Sequence, residues 1–205
     1  MLRKKPIHFL ACVAALALIA PTGLPQDQPD YKELPNFHKV NDTLFRGAQP
    51  RVGGLQLLKQ LGVKTIINLR DNDSRAQEEA AEAHSLGLQY VNIATGRLGR
   101  PDDKDIERAL SIITSASNQP VFVHCKHGAD RTGVVIAVYR IAHDGWTSKQ
   151  AKAEANKYGM KPWQFAMKDY IHDFYRRHEQ RNPSTQKSPS LLLPQPPDPL
   201  NRNPC

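Results

Sequence analysis

The sequence predicts an α/β fold, with a central, mostly parallel sheet flanked by helices. Short apolar runs alternate with helical patterns through the middle of the chain, which is typical of repeated strand and helix units. The runs at 63–69 and 121–123 are too densely apolar for half-exposed strands, so both should be buried on two faces. A glycine-bearing loop then leads into an apolar helix, which places a ligand at the carboxyl edge of the sheet.

The 205 residues leave room for one ordinary domain with tails. We predict a signal peptide or N-terminal anchor at 1–24, a linker at 25–35, the folded domain at 36–181 and a disordered tail at 182–205. Seven of the 16 prolines fall in the last 23 residues. A segment of that composition cannot bury enough apolar surface to offset its ordering entropy.

The N-terminal segment has the pattern of a secretory signal. Arg3, Lys4 and Lys5 precede an apolar run from Ile7 to Ala20 that ends in small residues. The run is shorter than the roughly 20 residues that span a bilayer. We therefore expect export to a periplasm or secretion, with an uncleaved membrane anchor as the alternative.

Charge and cysteine usage limit the partners. The 28 basic residues include the three at the N-terminus, which leaves 25 against 20 acidic residues in the rest of the chain. This modest excess suits an anionic substrate, but the charges are too dispersed to predict nucleic-acid binding. The sequence shows no Cys/His spacing of a metal site and predicts no cofactor. Cys125 and Cys205 alone remain beyond the signal, so no disulfide framework is evident.

In the first half of the chain, turn residues and glycine mark where the predicted strands and helices end. Two short strands, 37–40 and 43–46, are joined through a hairpin-type turn at Asn41-Asp42. Leucines on one face predict a helix over 51–61, which Gly62 ends. The buried strand at 63–69 comes next.

The second half alternates in the same way. Asp73 or Ser74 can cap an alanine-rich helix that runs to His84. The helix after Arg131 is apolar nearly all round through Ile141, which indicates a central buried helix. The other predicted elements are a strand at 86–93, a helix at 104–115, a strand starting at 121, and helices at 148–158 and 163–179.

The loop between the 121–123 strand and this apolar helix, His124 to Gly133, has the features of an oxyanion site. A loop placed there points its backbone N–H groups and the positive end of the helix into one concavity. Cys125 would lie at its base, where the same donors stabilise a thiolate. The thiol pKa should therefore fall below its usual value of about 8.5, which makes Cys125 a nucleophile near neutral pH.

The other loop residues have distinct expected roles. Arg131 can hold two oxygens of a phosphoryl group with its planar fork. Gly128 lies at the apex, where positive φ lets the chain turn with its amides inward. His124 and Thr132 flank the pair, and either could donate a hydrogen bond to the thiolate or the loop. The candidate phosphate-binding set is Cys125, Lys126, His127, Gly128, Ala129, Asp130 and Arg131.

The stretch His-Cys, five residues, Arg-Thr-Gly at 124–133 resembles the signature of the cysteine-dependent protein tyrosine and dual-specificity phosphatases. The segment 44–50 is similar to the N-terminal part of the atypical dual-specificity group. The resemblance covers about residues 36–180 and implies a phosphatase acting through a phosphocysteine intermediate on phosphotyrosine or another phosphoprotein. Phosphoinositides or inositol phosphates are the alternative substrates, and a non-catalytic phosphate-binding module is the alternative class. Rhodanese-type loops are less similar.

The proton donor to the leaving group has more than one candidate. The segment 101–106 resembles the acid-bearing loop of plant and fungal atypical dual-specificity phosphatases, with Asp103 the closer match and Asp102 beside it. An aspartate after proline at a helix start is equally typical of an N-cap. Asp130 is the competitor, because a carboxylate just before the loop arginine resembles myotubularin and Sac-type phosphoinositide phosphatases. Its alternative role is a structural hydrogen bond.

Overall fold

The computed structural model describes residues 30–96 and 99–182 and has the predicted α/β architecture. The described chain contains five strands and six helices, which alternate from β2 to α4. The strands are β1 His38–Asn41, β2 Leu44–Ala48, β3 Thr65–Asn68, β4 Gln89–Asn92 and β5 Val121–Cys125. The helices are α1 Gly54–Gln60, α2 Ser74–Ser85, α3 Asp103–Thr114, α4 Asp130–Asp144, α5 Ser148–Lys157 and α6 Phe165–Arg181.

The five strands form one sheet in the order β1-β2-β5-β3-β4. β1 pairs antiparallel with β2 as the predicted hairpin, and every other pair is parallel. β5 therefore lies in the centre, between β2 and β3. The carboxyl ends of these three strands meet at one edge, where Cys125 lies opposite Ala48 and His124 lies opposite Asn68.

Helices cover both faces of the sheet, as the dense apolar runs predicted. On one face, α1 and α2 pack on Phe122 of β5. On the other face, α3, α4, α5 and α6 pack on Val121 and Val123, whose side chains alternate with that of Phe122. Helix α4 is buried along most of its length, as expected of a central helix.

Some element ends differ from the predicted ones. β3 is shorter than the predicted 63–69, because the N–H of Val63 bonds back to Leu58 and that of Lys64 bonds to Pro120. Helix α6 begins at Phe165, two residues later than predicted, since the N–H of Gln164 closes a turn on Lys161. Apolar pattern alone does not separate a strand from the turn that leads into it.

The packed domain reaches further towards the N-terminus than residue 36. Leu34 is buried among the residues of the α1 side, and Tyr31 packs against the same cluster. The carbonyls of Glu33 and Pro35 accept hydrogen bonds from Arg51 and Ala48. The last part of the predicted 25–35 linker is therefore ordered against the domain.

The predicted signal segment at 1–24 and the tail beyond Asn182 lie outside the described residues, as do residues 97–98. Within the two described ranges, no helix is both long enough and apolar enough to cross a membrane.

Candidate active site

The chain turns from β5 into α4 at the predicted phosphate loop. Cys125 is the last residue of β5 and is only 3% exposed, and Asp130 is the first residue of α4. Gly128 has φ of +67°, so the positive φ expected at the apex is observed. A Cβ atom at Gly128 would also lie only 2.4 Å from the backbone carbon of Gly47. Conformation and space therefore both require glycine here.

Three consecutive loop carbonyls are held by donors from outside the loop. The donors are Gln49 N to Lys126 O at 3.5 Å, Asn36 Nδ2 to His127 O at 3.0 Å, and Arg46 Nη2 to Gly128 O at 2.9 Å. The C=O and N–H of a trans peptide point in opposite directions. Outward carbonyls therefore turn the amides of the same peptides towards the inside of the loop, which produces the cradle expected from the sequence. We call Asn36, Arg46 and Gln49 the loop collar.

The environment of Cys125 favours the thiolate. Burial by itself raises the pKa of the Cys125 thiol, but the hydroxyl and N–H of Thr132, the charge of Arg131 and the N–H of His127 outweigh burial. The net pKa is below the usual value for cysteine. The thiolate is therefore present at lower pH than in an ordinary cysteine.

The two residues that flank the loop have different partners. Thr132 is buried next to the sulfur, and its hydroxyl makes no regular hydrogen bond to any residue the structure describes, so it is available to the thiolate. His124 is fully buried with Nε2 at 3.2 Å from Glu79 Oε1. The donor to the thiolate, left open between the two by sequence, is therefore Thr132.

Glu79 supports the loop from helix α2. Burial raises the pKa of Glu79, but the electrostatic interaction with His124 and hydrogen bonds from His124, Gln49 and Tyr90 outweigh burial and lower it overall. Its Oε2 also accepts a hydrogen bond from Asn68 Nδ2 at 2.8 Å. This buried network ties β3, β5 and α2 together beneath the loop.

Arg131 is partly buried and anchored to the neighbouring strand. Its Nη1 donates to the carbonyl oxygen of Leu69, just past the end of β3, at 3.0 Å. One edge of the guanidinium is thereby fixed, which restricts the fork to few orientations. Lys126 and His127 are exposed at the mouth of the loop, whereas Ala129 is buried.

The three candidate acids have separate contacts. Asp102 is the N-cap of α3, because its carboxylate accepts from Lys104 N at 3.0 Å. Asp103 Oδ1 accepts from Tyr170 Oη at 2.6 Å and from Arg177 Nη2 at 3.0 Å. The Asp103 side chain remains 57% exposed.

Asp130 is used differently. Its Oδ1 accepts a hydrogen bond from the backbone N–H of Lys161 at 2.8 Å, which ties the first turn of α4 to the α5–α6 connection. This is the structural role that the sequence left open for Asp130.

Sequence reasoning missed Arg46, which is only 1% exposed. It donates to the loop at Gly128 and lies over the ring of Tyr158, with Cζ 4.5 Å from the ring centroid. Burial is the main reason that the pKa of Arg46 falls to about 10. The sequence feature that could have indicated Arg46 is an arginine inside an apolar strand. Its role depends on a partner 82 residues away, which the local sequence does not show. Asn36 and Glu79 were missed for the same reason.

Comparison with known proteins agrees with this geometry. A family model described as "DSP-PTPase phosphatase fused to NAD+ Kinase" matches residues 29–173. The dual specificity protein phosphatase TpbA of Pseudomonas aeruginosa PAO1 is 35% identical over 125 residues, which are 60% of this chain and 54% of that protein. The inositol diphosphatase DSP2 of Oryza sativa subsp. japonica is 32% identical over 116 residues, or 51% of this chain and 53% of that protein. The chain thus spans about half the length of the curated relatives it matches.

Solved structures show the same fold. The crystal structure of P. aeruginosa TpbA aligns with a TM-score of 0.60 and 25% identity, over 74% of this chain and 94% of that one. A TpbA variant crystallised with pTyr aligns with a TM-score of 0.58 and 25% identity, over 70% and 90%. From the family match, we conclude that the chain belongs to the DSP-PTPase family of cysteine-dependent phosphatases.

Proposed function

We propose that the protein hydrolyses phosphate monoesters through a phosphocysteine intermediate, without a metal ion. The Cys125 thiolate attacks phosphorus, so that an S–P bond forms as the ester P–O bond breaks. The leaving oxygen takes a proton from a carboxyl group. Water then attacks the phosphocysteine, its proton returns to the carboxylate, and phosphate and the thiolate are released.

The observation that carries this proposal is the lowered pKa of a cysteine thiol at the base of an inward-facing amide loop. The amides and the Arg131 fork meet the negative charge that builds on the phosphoryl oxygens. Thr132 supports the thiolate, and His124 supports the loop through Glu79. Lys126, His127, Gly128, Ala129 and Asp130 complete the loop.

We assign the proton transfer to Asp103. Asp102 is occupied as the cap of α3, and the Asp130 carboxylate already holds Lys161 N. Asp103 keeps an exposed carboxyl group at the start of the helix that follows the β4–α3 loop. Tyr170 and Arg177 contact only its Oδ1 in the described chain, and these contacts fix the carboxyl orientation.

The substrate we propose is a phosphorylated protein or a small phosphorylated molecule, with phosphotyrosine as the first choice. The relative TpbA is named a dual specificity protein phosphatase, and a variant of it was crystallised with pTyr. A buried cysteine at the base of a loop is suited to an ester whose phosphate extends inward from an aromatic ring.

The decisive experiment is turnover of an aryl phosphate by the full chain and by Cys125→Ser. We expect wild-type turnover that vanadate inhibits and that a chelator leaves intact. Cys125→Ser should lose turnover but still bind phosphotyrosine, because the loop amides and Arg131 remain. Appreciable turnover by the serine variant would disprove the nucleophile, and loss of activity on chelation would disprove the metal-free mechanism. A chain that binds phosphotyrosine without any turnover would be the non-catalytic module.

Inositol phosphates are the second candidate substrate. Five plant relatives that match the chain are named inositol diphosphatases in Oryza sativa and Arabidopsis thaliana. The exposed Lys126 and His127 at the loop mouth suit a ligand with several phosphates. Comparison of kcat/KM for a phosphotyrosine peptide and for an inositol diphosphate decides between the two.

We further propose that the protein is exported to a periplasm or secreted, with the segment 1–24 removed or retained as an anchor. The support is the basic head, the apolar run and the small residues at its end.

A further inference from the structure

A cavity of about 570 Å³ opens beside the phosphate loop, on the side away from Arg131's anchor at Leu69. It meets the loop at His127 and Ala129, and Cys125 does not line it. Its walls come from the start of β1, the loop, and the connection between α5 and α6. The lining residues are Asn36, His38, His127, Ala129, Lys157, Tyr158, Gly159 and Lys161.

The cavity is positively charged. Lys157 and Lys161 are exposed at its rim, and none of the described residues that line it is acidic. Two carboxylates lie nearby. The charge of Glu154 is offset by Arg140 at 2.8 Å, and the Asp130 carboxylate accepts a hydrogen bond from the backbone N–H of Lys161.

His38, in the cavity wall, lies near two positive charges. Burial is the main cause of the lowered pKa of His38, and the charges of Arg46 and Lys157 lower it further. Both cations therefore act on the cavity wall. An anion in the cavity would be attracted by the same charges.

Hydrogen bonds and a ring contact hold the cavity walls in place. Asn36 Nδ2 donates to the carbonyls of both His127 and Tyr158, at 3.0 and 3.2 Å. The His38 ring packs against the Tyr158 ring, with centroids 4.2 Å apart. These contacts fix the position of the cavity relative to the phosphate loop. The distance between the two sites is therefore fixed for a ligand that occupies both.

An aromatic surface continues from the rim. Trp163 and Phe165 are 63% and 69% exposed, and Lys161 Nζ lies 5.9 Å from the Trp163 ring centroid. Exposed aromatic rings next to a lysine suit a peptide, which carries apolar and charged side chains together. A small polyphosphate would leave these rings without a contact.

We propose that this cavity is a second anion subsite, which receives an acidic side chain next to the phosphorylated residue of a phosphoprotein substrate. The inference rests on the proposed phosphatase function and adds the substrate's sequence preference. Lys157 and Lys161 would attract the carboxylate, while the phosphate occupies the loop.

The test uses two phosphotyrosine peptides, one with glutamate on both sides of the phosphotyrosine and a matched one with glutamine. We expect wild-type kcat/KM to be about threefold to tenfold higher for the glutamate peptide, because exposed charge pairs contribute modestly. The double variant Lys157→Glu, Lys161→Glu should bring this ratio to one or below. Lys149→Glu, on an exposed lysine of α5 outside the cavity, should keep the wild-type ratio.

Binding to Cys125→Ser, measured with the same peptides, separates the two proposals. A wild-type enzyme that cleaves both peptides equally, with equal binding, would overturn the subsite alone. Preferential binding of the glutamate peptide with no turnover would overturn the phosphatase function and leave the subsite standing. Loss of the ratio in Lys149→Glu as well would show only a general charge effect and would overturn the assignment to this cavity. Weaker competition by an inositol polyphosphate against the double variant than against wild type, with no difference between the two peptides, would overturn the acidic side chain as the occupant of the cavity.

Discussion

At Thr132, the effect of a side chain on the pKa of Cys125 can be separated from its effect on packing. Its side chain is buried, and its hydroxyl and N–H are the main groups that oppose the effect of burial on the thiol pKa. Valine has nearly the same shape but no hydroxyl, and the backbone N–H stays in place. Thr132→Val therefore removes one donor to the thiolate and leaves the loop covalently unchanged.

We expect Thr132→Val to raise the pKa of Cys125. The thiolate then appears only at higher pH, so alkylation should be slower than in wild type at every pH below the wild-type pKa. The rate is followed on the Cys125 peptide by mass spectrometry, because the full chain also contains Cys12 and Cys205. Val135→Ala, a buried change one turn further along α4, serves as the packing control. An unchanged pH profile in Thr132→Val would show that the Thr132 hydroxyl does not stabilise the thiolate.

The proton donor is also decided at the level of single residues. Removal of the true acid slows cleavage of an alkyl phosphate, with its poor leaving group, far more than that of an activated aryl ester. We expect Asp103→Asn to lower kcat on the alkyl ester by about 10²–10⁴-fold and to flatten the basic limb of its pH profile. Asp102→Asn is the matched control, because asparagine also caps a helix. If leaving-group sensitivity appears only in Asp130→Asn, the acid is Asp130.

Among the elements, β2 has the largest role that the sequence did not reveal. Arg46 on this strand and Asn36 before β1 reach the loop across separations of 82 and 91 residues. The loop itself was predictable, because its strand, glycine and helix are adjacent in the chain. The collar was not, because strand pairing brings β2 beside β5 only in the folded sheet. A buried arginine in an apolar strand looks, in sequence, like an outward-facing polar residue.

In the helices, too, local features were predictable from the sequence and tertiary contacts were not. The cap of α2 and the end of α1 depend on local chemistry. The sequence predicted Asp73 or Ser74 as the cap and Gly62 as the residue that ends the helix; the cap is Asp73, and Gly62 follows the last turn of α1 with positive φ. Burial of α4 was predictable from its apolar composition. The contact of Asp103 with Tyr170 depends instead on how α3 packs against α6, which no local pattern specifies.

Substitution of Arg46 tests the collar. Arg46→Leu leaves the Gly128 carbonyl without its donor and frees the peptide that turns the Ala129 amide inward. We expect vanadate to bind about tenfold more weakly, in line with the loss of a hydrogen bond from a charged group. Arg140→Leu is the matched control, since Arg140 is largely buried and, like Arg46, stacks on an aromatic ring, Trp146, but makes no hydrogen bond to the loop. Equal loss of vanadate affinity in both variants would contradict a specific role for Arg46.

At the scale of the whole molecule, the sheet gathers the chemistry at one edge. β2, β5 and β3 end together, so the collar, the nucleophile and the anchor of Arg131 converge although they are distant in sequence. The N-terminal residues from Tyr31 are part of this arrangement, because Leu34 is buried and Asn36 holds the loop. A segment removed from the mature protein must therefore end before Tyr31.

This upper limit at Tyr31 agrees with the cleavage range expected if the protein is exported. We predict a mature N-terminus between about residues 18 and 27, where the small residues after the apolar run permit cleavage. N-terminal sequencing of protein from the periplasmic or secreted fraction of its native host measures it directly. The double variant Leu16→Arg, Leu18→Arg, which interrupts the apolar run, should keep its full length in the cytosol. Wild-type protein found in the soluble cytosol with Met1 intact would refute export, and full-length protein in the membrane fraction would identify an uncleaved anchor.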